Sequence, residues 1–481
     1  MPNGRPGGGG GPPIIRPDRD RDWTQGSVSK NVLLLAWPVI VNSIVMQFDM
    51  IIVMVWIAWL GVKTVAGVGV AGTLTMLISM FRMGVTTGER AMITRCVGAD
   101  DIEGANHVVL QAFWLNIALG IVTVVIGVML AEPFMRLMGV EEEVARQGVT
   151  YMRIMFFGSA VMSFSMIGNS VMQSSGDTVT PMYIGLVTRA LHIGIAPCLI
   201  FGWGFFPRLE VTGAALASVI TNGVGAVISM WVLASGRTRL RLRFSFRVSP
   251  RTIWEMLKIG LPSSMNSAER SIARTFLTRI LTSFGTYSIA AYTIAQRVDQ
   301  IVELASQGLG QAGGILVGQN LGAGRPDRSY RAAWTAMGYG ALASGILVIF
   351  VFWRAELLVR IFNSDPELVR MASTYVRIMS IQFAAMCGAM IFSNALNSAG
   401  DTVPPMIASI ATLWGIELPL AFLLSRITDW GLYSIAAATV AATSVRVLLY
   451  MSWFQWGKWR EKKISLEEDG QIRFAGRRPM M

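Results

Sequence analysis

Five acids lie where ionised groups are expensive. Asp49, Glu269, Asp299, Glu303 and Glu417 each fall inside a long apolar stretch, and the basic residues at comparable depth are Arg82, Arg189, Arg270, Arg274, Arg297 and Arg446. A carboxylate taken out of water must hold a proton, hold a cation or be neutralised by a basic side chain. The first two are what an ion-driven membrane machine needs, so all five are candidate ion-coupling residues. Asp299 and Glu303 also have a structural reading. If the two apolar stretches that carry them turn as an antiparallel hairpin near Gly285 and Thr286, Arg270 meets Glu303 and Arg274 meets Asp299 at equal height. Residues 270 and 274, like 299 and 303, are four apart and share a helix face. Two ion pairs would then join the hairpin without preventing either acid from exchanging a proton. Asp49, Glu269 and Glu417 have no partner that spacing identifies. Asn42, Ser43 and Gln47 near Asp49 could supply oxygen to Na⁺, whereas an isolated carboxylate in low dielectric suits H⁺; the balance leans to H⁺. Glu89, Arg90 and Arg95 are expected near an end of their span, at the membrane surface.

Flexible, polarizable side chains suit a pocket that accepts many amphipathic molecules, and the chain has 29 methionines, most of them expected to pack or face lipid. Met46, Met50 and Met265, with Asn42, Gln47 and Asn266 as polar contacts, are the candidate substrate-binding residues. Trp414 and Pro419 are read as setting packing and a bend. Three cysteines (Cys96, Cys198, Cys387) and two histidines (His107, His192) have neither disulfide nor metal-site spacing and are read as structural, with no metal bound.

The elements that must position these residues follow from composition. Of 481 residues, 53% are hydrophobic and only 15% charged, against about 25% charged in a soluble domain. Twelve apolar stretches can cross a bilayer, near 31–60, 64–93, 108–130, 150–173, 182–205, 211–235, 253–284, 287–317, 333–353, 373–396, 404–425 and 431–457. Continuous apolar runs of this length imply helices, so the fold class is all-α integral membrane. The first run, from Asn31, reads as a membrane anchor and not a cleaved leader. The formal charge of +12 reads as topology charge and not as a nucleic-acid footprint. Arg237, Arg239, Arg241, Arg243, Arg247 and Arg251 crowd the connection between spans six and seven, while Glu132, Glu141, Glu142 and Glu143 crowd that between spans three and four. The basic connection is therefore expected in the cytoplasm, and an even number of spans places both termini there. The organisation expected is a disordered cytoplasmic tail 1–30, an N-lobe 31–235, a basic cytoplasmic linker 236–252, a C-lobe 253–457 and a cytoplasmic tail 458–481.

The two lobes are a repeat. Tyr151, Arg153, Ile154 and Met155 recur as Tyr375, Arg377, Ile378 and Met379, and Gly176-Asp177-Thr178-Val179 recurs as Gly400-Asp401-Thr402-Val403, each displaced by 224. The same displacement pairs Pro38 with Pro262, Asn42 with Asn266, Gly84 with Gly308 and Gly98 with Gly322. Six spans is an even number, so the halves are expected to be related by a pseudo-two-fold axis along the membrane normal, with a site between them.

Gly318-Gln319-Asn320-Leu321-Gly322-Ala323-Gly324-Arg325, the paired Gly-Asp-Thr segments and the early prolines of spans one and seven resemble the MATE (multidrug and toxic compound extrusion) transporters of the MOP superfamily. The resemblance covers about residues 31–457. It implies a two-lobe secondary active antiporter of the plasma (inner) membrane that exports organic cations or amphipathic drugs in exchange for H⁺ or Na⁺. It implies no cofactor and no enzymatic activity; the partners would be small molecules and membrane lipid, with the chain a monomer. The family's span-one aspartate falls at Val53 here, one turn from Asp49. Glu269 lies about one residue before the span-seven glutamate of the NorM-like branch, and two further family aspartates fall at Met386 and Ala196. Without the family, the glycine-rich run lets a helix end and turn sharply at the membrane surface. Two other functions stay open. A lipid-linked oligosaccharide flippase would use Arg270, Arg274, Arg279 and Arg297 for pyrophosphate, and a membrane-embedded prenyl-diphosphate enzyme would need Mg²⁺ at aspartates such as Asp100 and Asp101.

Overall fold

The computed structural model describes residues 21–204, 206–240, 247–468 and 471–474, with 62–63, 76–78, 81 and 466–474 described by their backbone alone. The glycine-rich part of the expected N-terminal tail, the middle of the basic linker and the end of the C-terminal tail lie outside that set. The first half is six helices: α1 (Val28–Trp59), α2 (Val62–Gly98), α3 (Ile102–Leu137), α4 (Glu142–Ser174), α5 (Val179–Phe201) and α6 (Glu210–Ala234). The second half repeats them as α7 (Pro250–Thr282), α8 (Thr286–Gly322), α9 (Pro326–Arg360), the broken pair α10 (Pro366–Ser380) and α11 (Phe383–Ser398), then α12 (Val403–Thr412), a π-turn (Leu413–Glu417), α13 (Leu418–Ile427) and α14 (Leu432–Trp456). In hydrocarbon every backbone N–H must be satisfied within its own element, which is why these apolar runs are helices. Their starts are set locally: Asp101, Ser249 and Asp365 cap α3, α7 and α10 through their side chains, and Pro250, Pro326 and Pro366 occupy first-turn positions where no N–H is required.

Eight helices, counting α12 through α13 as one, are long and apolar enough to span on composition alone, and the bent α10–α11 pair makes nine. The remaining spans are α2, α7 and α8, the helices that carry Arg82, Arg270, Arg274, Arg297, Asp299 and Glu303. Their charged residues lower the mean hydropathy: Arg82 is buried, whereas Arg270, Arg274 and Arg297 are exposed; α2 packs on α7 and α8, and α8 packs on α1. The result is twelve spans in two lobes of six.

Three expectations change in detail. Span ten is two helices meeting at 47° around Ile381 and Gln382, and it begins at Pro366. The described part of the N-terminal tail is built in: α1 starts at Val28, Trp23 is buried against Gly176, and Arg325 donates to the Thr24 carbonyl at 2.7 Å. The C-terminal tail carries a short antiparallel hairpin, β1 (Ser465–Glu468) with β2 (Gln471–Phe474), a small exception to an all-α chain.

At the end that carries both termini the lobes are tightly joined. A Cβ on Gly98 would meet the Gln319 carbonyl oxygen at 1.9 Å, one on Gly322 the Arg95 carbonyl oxygen at 2.0 Å, and one on Gly84 the Gly260 carbonyl oxygen at 2.5 Å. Gly318 likewise faces Thr94 of α2. The glycine-rich run thus works mainly as a close-approach surface between lobes; only Gly324, at φ +70°, makes the sharp turn expected of the whole run. Arg95 bridges the lobes by donating to the Ala399 carbonyl at 2.7 Å and to that of Lys462. Glu89 and Arg95, expected at the membrane surface, are both buried, Arg95 in this joint and Glu89 beside Ser170 of its own lobe.

Candidate functional site

Each lobe holds a polar cluster around its intramembrane acids, and the first lobe also buries Arg82, which donates to the Ser159 carbonyl at 2.6 Å and to Ser159 Oγ at 2.9 Å. In the first lobe α1 packs on α5 and α5 on α6, and these three helices bring together residues up to 173 positions apart, from 49 to 222. Asp49 is 3% exposed. His192 Nδ1 lies 2.8 Å from its Oδ1 and 3.0 Å from its Oδ2, and Arg189 Nη1 lies 3.1 Å from Oδ2. On the far side of the ring, His192 Nε2 is 3.1 Å from Ser218 Oγ, and Arg189 Nη2 reaches Asn222 Oδ1 at 3.4 Å. Arg189 and His192 are three apart on α5, and Ser218 and Asn222 four apart on α6, so each pair presents one face to Asp49. The expectation that Asp49 is unpartnered is corrected: it contacts two groups of the fifth span, Arg189 and His192. His192, read as structural, is a member of the site. The signal that could have found it was the pair of basic side chains three apart in an otherwise apolar span.

The second lobe gathers Glu269 (α7), Ser409 and Thr412 (α12), Glu417 (π-turn), Thr439 and Arg446 (α14). The π-turn inserts a residue just before Pro419, which re-aims the chain and buries Glu417 against α14. Thr439 Oγ1 donates to Glu417 Oε1 at 3.0 Å, and Arg446 Nη2 lies 3.7 Å from Glu417 Oε2 while its Nε donates to Thr412 Oγ1 at 3.0 Å. Ser409 donates to Glu269 Oε1, whereas Oε2 of Glu269 is buried and has no hydrogen-bond partner among the described residues. Arg446 and Arg270 act on Glu269 only through space. Trp414 packs edge-on to Phe276, and its side chain also interacts with Glu269.

The hairpin ion pairs do not close. Among the described residues neither Arg270–Glu303 nor Arg274–Asp299 comes within ion-pair distance; each couple interacts only through space. The reason is packing: α7 lies mainly against α2 of the other lobe and α12 of its own, while α8 lies against α1, α9, α10 and α11. Consecutive spans seven and eight splay, and Arg270 Nε donates instead to the Asn266 carbonyl at 3.2 Å.

Of the candidate binding residues, Met46, Met50 and Met265 are more than half exposed, Gln47 is half-buried, Asn42 packs against Gly185 of α5, and Asn266 is buried beside Tyr450. Met46 and Met50 flank Asp49 on α1, so the first lobe presents apolar side chains next to its acid. Asp100 and Asp101 serve locally, Asp100 pairing with Arg239 at 3.1 Å and Asp101 capping α3.

Comparison with known proteins agrees with this architecture. The MatE family model matches residues 38–198 and again 262–423, once in each lobe. A probable multidrug resistance protein, YoeA, of Bacillus subtilis is 26% identical over 91% of this chain and 96% of its own. A probable multidrug resistance protein NorM of Thermotoga maritima is 25% identical over 92% and 95%, and a protein named as an FAD transporter in Shewanella oneidensis is 26% identical over 77% and 82%. The fold matches a MATE crystal structure in the bent conformation (TM-score 0.84, 22% identity, 90% of this chain and 96% of that one) and an outward-facing multidrug resistance MATE transporter of the MOP superfamily (0.85, 21%, 92% and 98%). With one model matching both lobes and the bundle shared over nine-tenths of its length, this chain belongs to the MATE family: it is a multi-pass membrane transporter and not an enzyme.

Proposed function

We propose that the protein exports organic cations and other amphipathic small molecules from the cytoplasm across the plasma membrane, driven by cation flow through the first lobe at Asp49. The observation that carries this reading is the burial of Asp49, between its two basic neighbours, beside the exposed Met46 and Met50 on the same helix. A charged group that changes occupancy next to an apolar binding surface makes ion and substrate compete, which is the requirement for antiport. Glu269, with one carboxylate oxygen unclaimed, is the companion site for substrate charge in the second lobe. The lobes joined at the terminal end, which we place in the cytoplasm with both tails and the 236–252 linker, form the closed gate of a transporter open to the other side. We take the chain to act as a monomer in the lipid. The test is uptake of a fluorescent organic cation into inverted vesicles carrying the wild-type protein under an imposed pH or Na⁺ gradient, with Asp49→Asn as the inactive control; no gradient-dependent uptake would overturn the reading.

A second reading has its own observation. Arg270, Arg274, Arg279 and Arg297 reach the surface of α7 and α8 without an ion pair among the described residues. Unpaired guanidinium groups beside the crevice suit an anionic amphiphile, a lipid-linked diphosphate being the flippase case. Competition of an organic anion with the fluorescent cation separates the two.

A further inference from the structure

The two intramembrane clusters differ in their groups, and that difference bears on ion choice. We infer that His192, and not a free carboxylate, is the group that takes up the transported ion, and that the ion is H⁺. This rests on the reading that Asp49 couples export.

The geometry constrains where protons sit. Nδ1 of His192 touches both oxygens of Asp49, at 2.8 and 3.0 Å, so one proton must occupy that contact, and Nδ1–H donating to the carboxylate satisfies it. Nε2 faces Ser218 Oγ at 3.1 Å, and the same hydroxyl is 3.2 Å from the Ala214 carbonyl oxygen. With Ser218 donating to Nε2 the ring is neutral. When a proton from water binds the Nε2 lone pair, the hydroxyl turns to donate to Ala214 and accepts from the new N–H. Both states find their hydrogen bonds already built, and the exchange needs one hydroxyl rotation. Loss of the proton to water on the other side reverses it.

The same arrangement rejects Na⁺. A hard cation needs several oxygen ligands, and Asp49 Oδ1 and Oδ2 are already claimed by a ring N–H and by Arg189, itself a fixed positive charge. The charged and titratable groups facing His192 among the described residues are Asp49 from α1 and Arg189 from its own helix; α6 contributes the neutral Ser218 and Asn222. Protonation therefore takes the cluster from net zero to net +1. An organic cation beside Met46 and Met50 is then repelled, which is the competition antiport requires.

The chain has two histidines, so His107→Gln leaves His192 alone to be observed. In that protein, reconstituted in lipid nanodiscs, nitrogen NMR of the ring is expected to show a protonated Nε2 in acid, and less of it at a given pH when a model organic cation such as tetraphenylphosphonium is bound. A ring that stays neutral, or titrates identically with and without tetraphenylphosphonium, overturns the inference. In proteoliposomes, His192→Asn keeps a donor to Asp49 but cannot take a proton, and pH-driven accumulation of the cation is expected to fall about tenfold or more while downhill flux persists. A Na⁺ gradient at equal pH should drive no accumulation by the wild type. Retained pH-driven export in His192→Asn, or Na⁺-driven export by the wild type, sinks the assignment and leaves the exporter reading standing. Wild-type protein that accumulates nothing under either gradient removes the exporter reading itself.

Discussion

The two lobes share a frame and differ in chemistry. In the first, one carboxylate has two basic neighbours and no free oxygen; in the second, two carboxylates share one arginine at 3.7 Å from the nearer, and Glu269 keeps a buried oxygen unclaimed. The frame is common because backbone and small-residue packing are copied, as in Thr188 and Thr412, each bonded back to its own helix. The outer contact is analogous without being copied position for position: Ser218 of α6 touches His192 of α5, and Thr439 of α14 touches Glu417 of the matching span, at displacements of 221 and 225. What changed is the inner residue, a base in one lobe and an acid in the other. The division of labour we propose, ion in one lobe and substrate charge in the other, rests on that asymmetry.

The largest effect should come from breaking the poorer-balanced lobe. Arg446→Ala leaves Glu417 buried with Thr439 alone, at a cost of about 3 to 5 kcal/mol, read as a lowered melting temperature in detergent. Adding Glu417→Gln should recover more than half, because the uncompensated charge is gone; a single variant that melts like the parent would mean Arg446 does not neutralise this lobe. Next in size, Asp49→Asn should reach the membrane and keep its melting temperature within a few degrees yet lose gradient-driven export by about tenfold or more. Export at the parental rate would place coupling in the other lobe. Glu269→Gln should do less, weakening affinity for organic cations by about five- to tenfold with the pH dependence of transport unchanged. If it alters the pH dependence instead, the division of labour between lobes is reversed. The smallest effect belongs to the splayed helices: Arg274→Ala and Asp299→Asn should show a coupling energy below about 0.5 kcal/mol in a double-mutant cycle. A coupling several times larger would mean that α7 and α8 close onto each other in another state of the cycle.

The sequence by itself determined the number of spans, the division into two lobes and the placing of the acids within apolar runs. Each of these is written locally: run length against membrane thickness, a constant displacement of 224, and charge within an apolar window. The 21–30 segment and the glycine-rich run were misjudged because both act across the lobe boundary, Trp23 covering Gly176 and Gly322 admitting the Arg95 carbonyl. Tertiary structure alone decided the partners of the acids. Equal-height reasoning pairs only consecutive spans, and in this bundle α1 lies against α5, and α7 against α2, through contacts between residues far apart in the chain. Asp49 and His192 are 143 positions apart, and the π-turn that buries Glu417 shifts the register of its span by one residue. A charge inside a membrane announces itself in sequence because its cost depends on depth; the group that meets that cost depends on which helix packs alongside, and only the folded bundle fixes it.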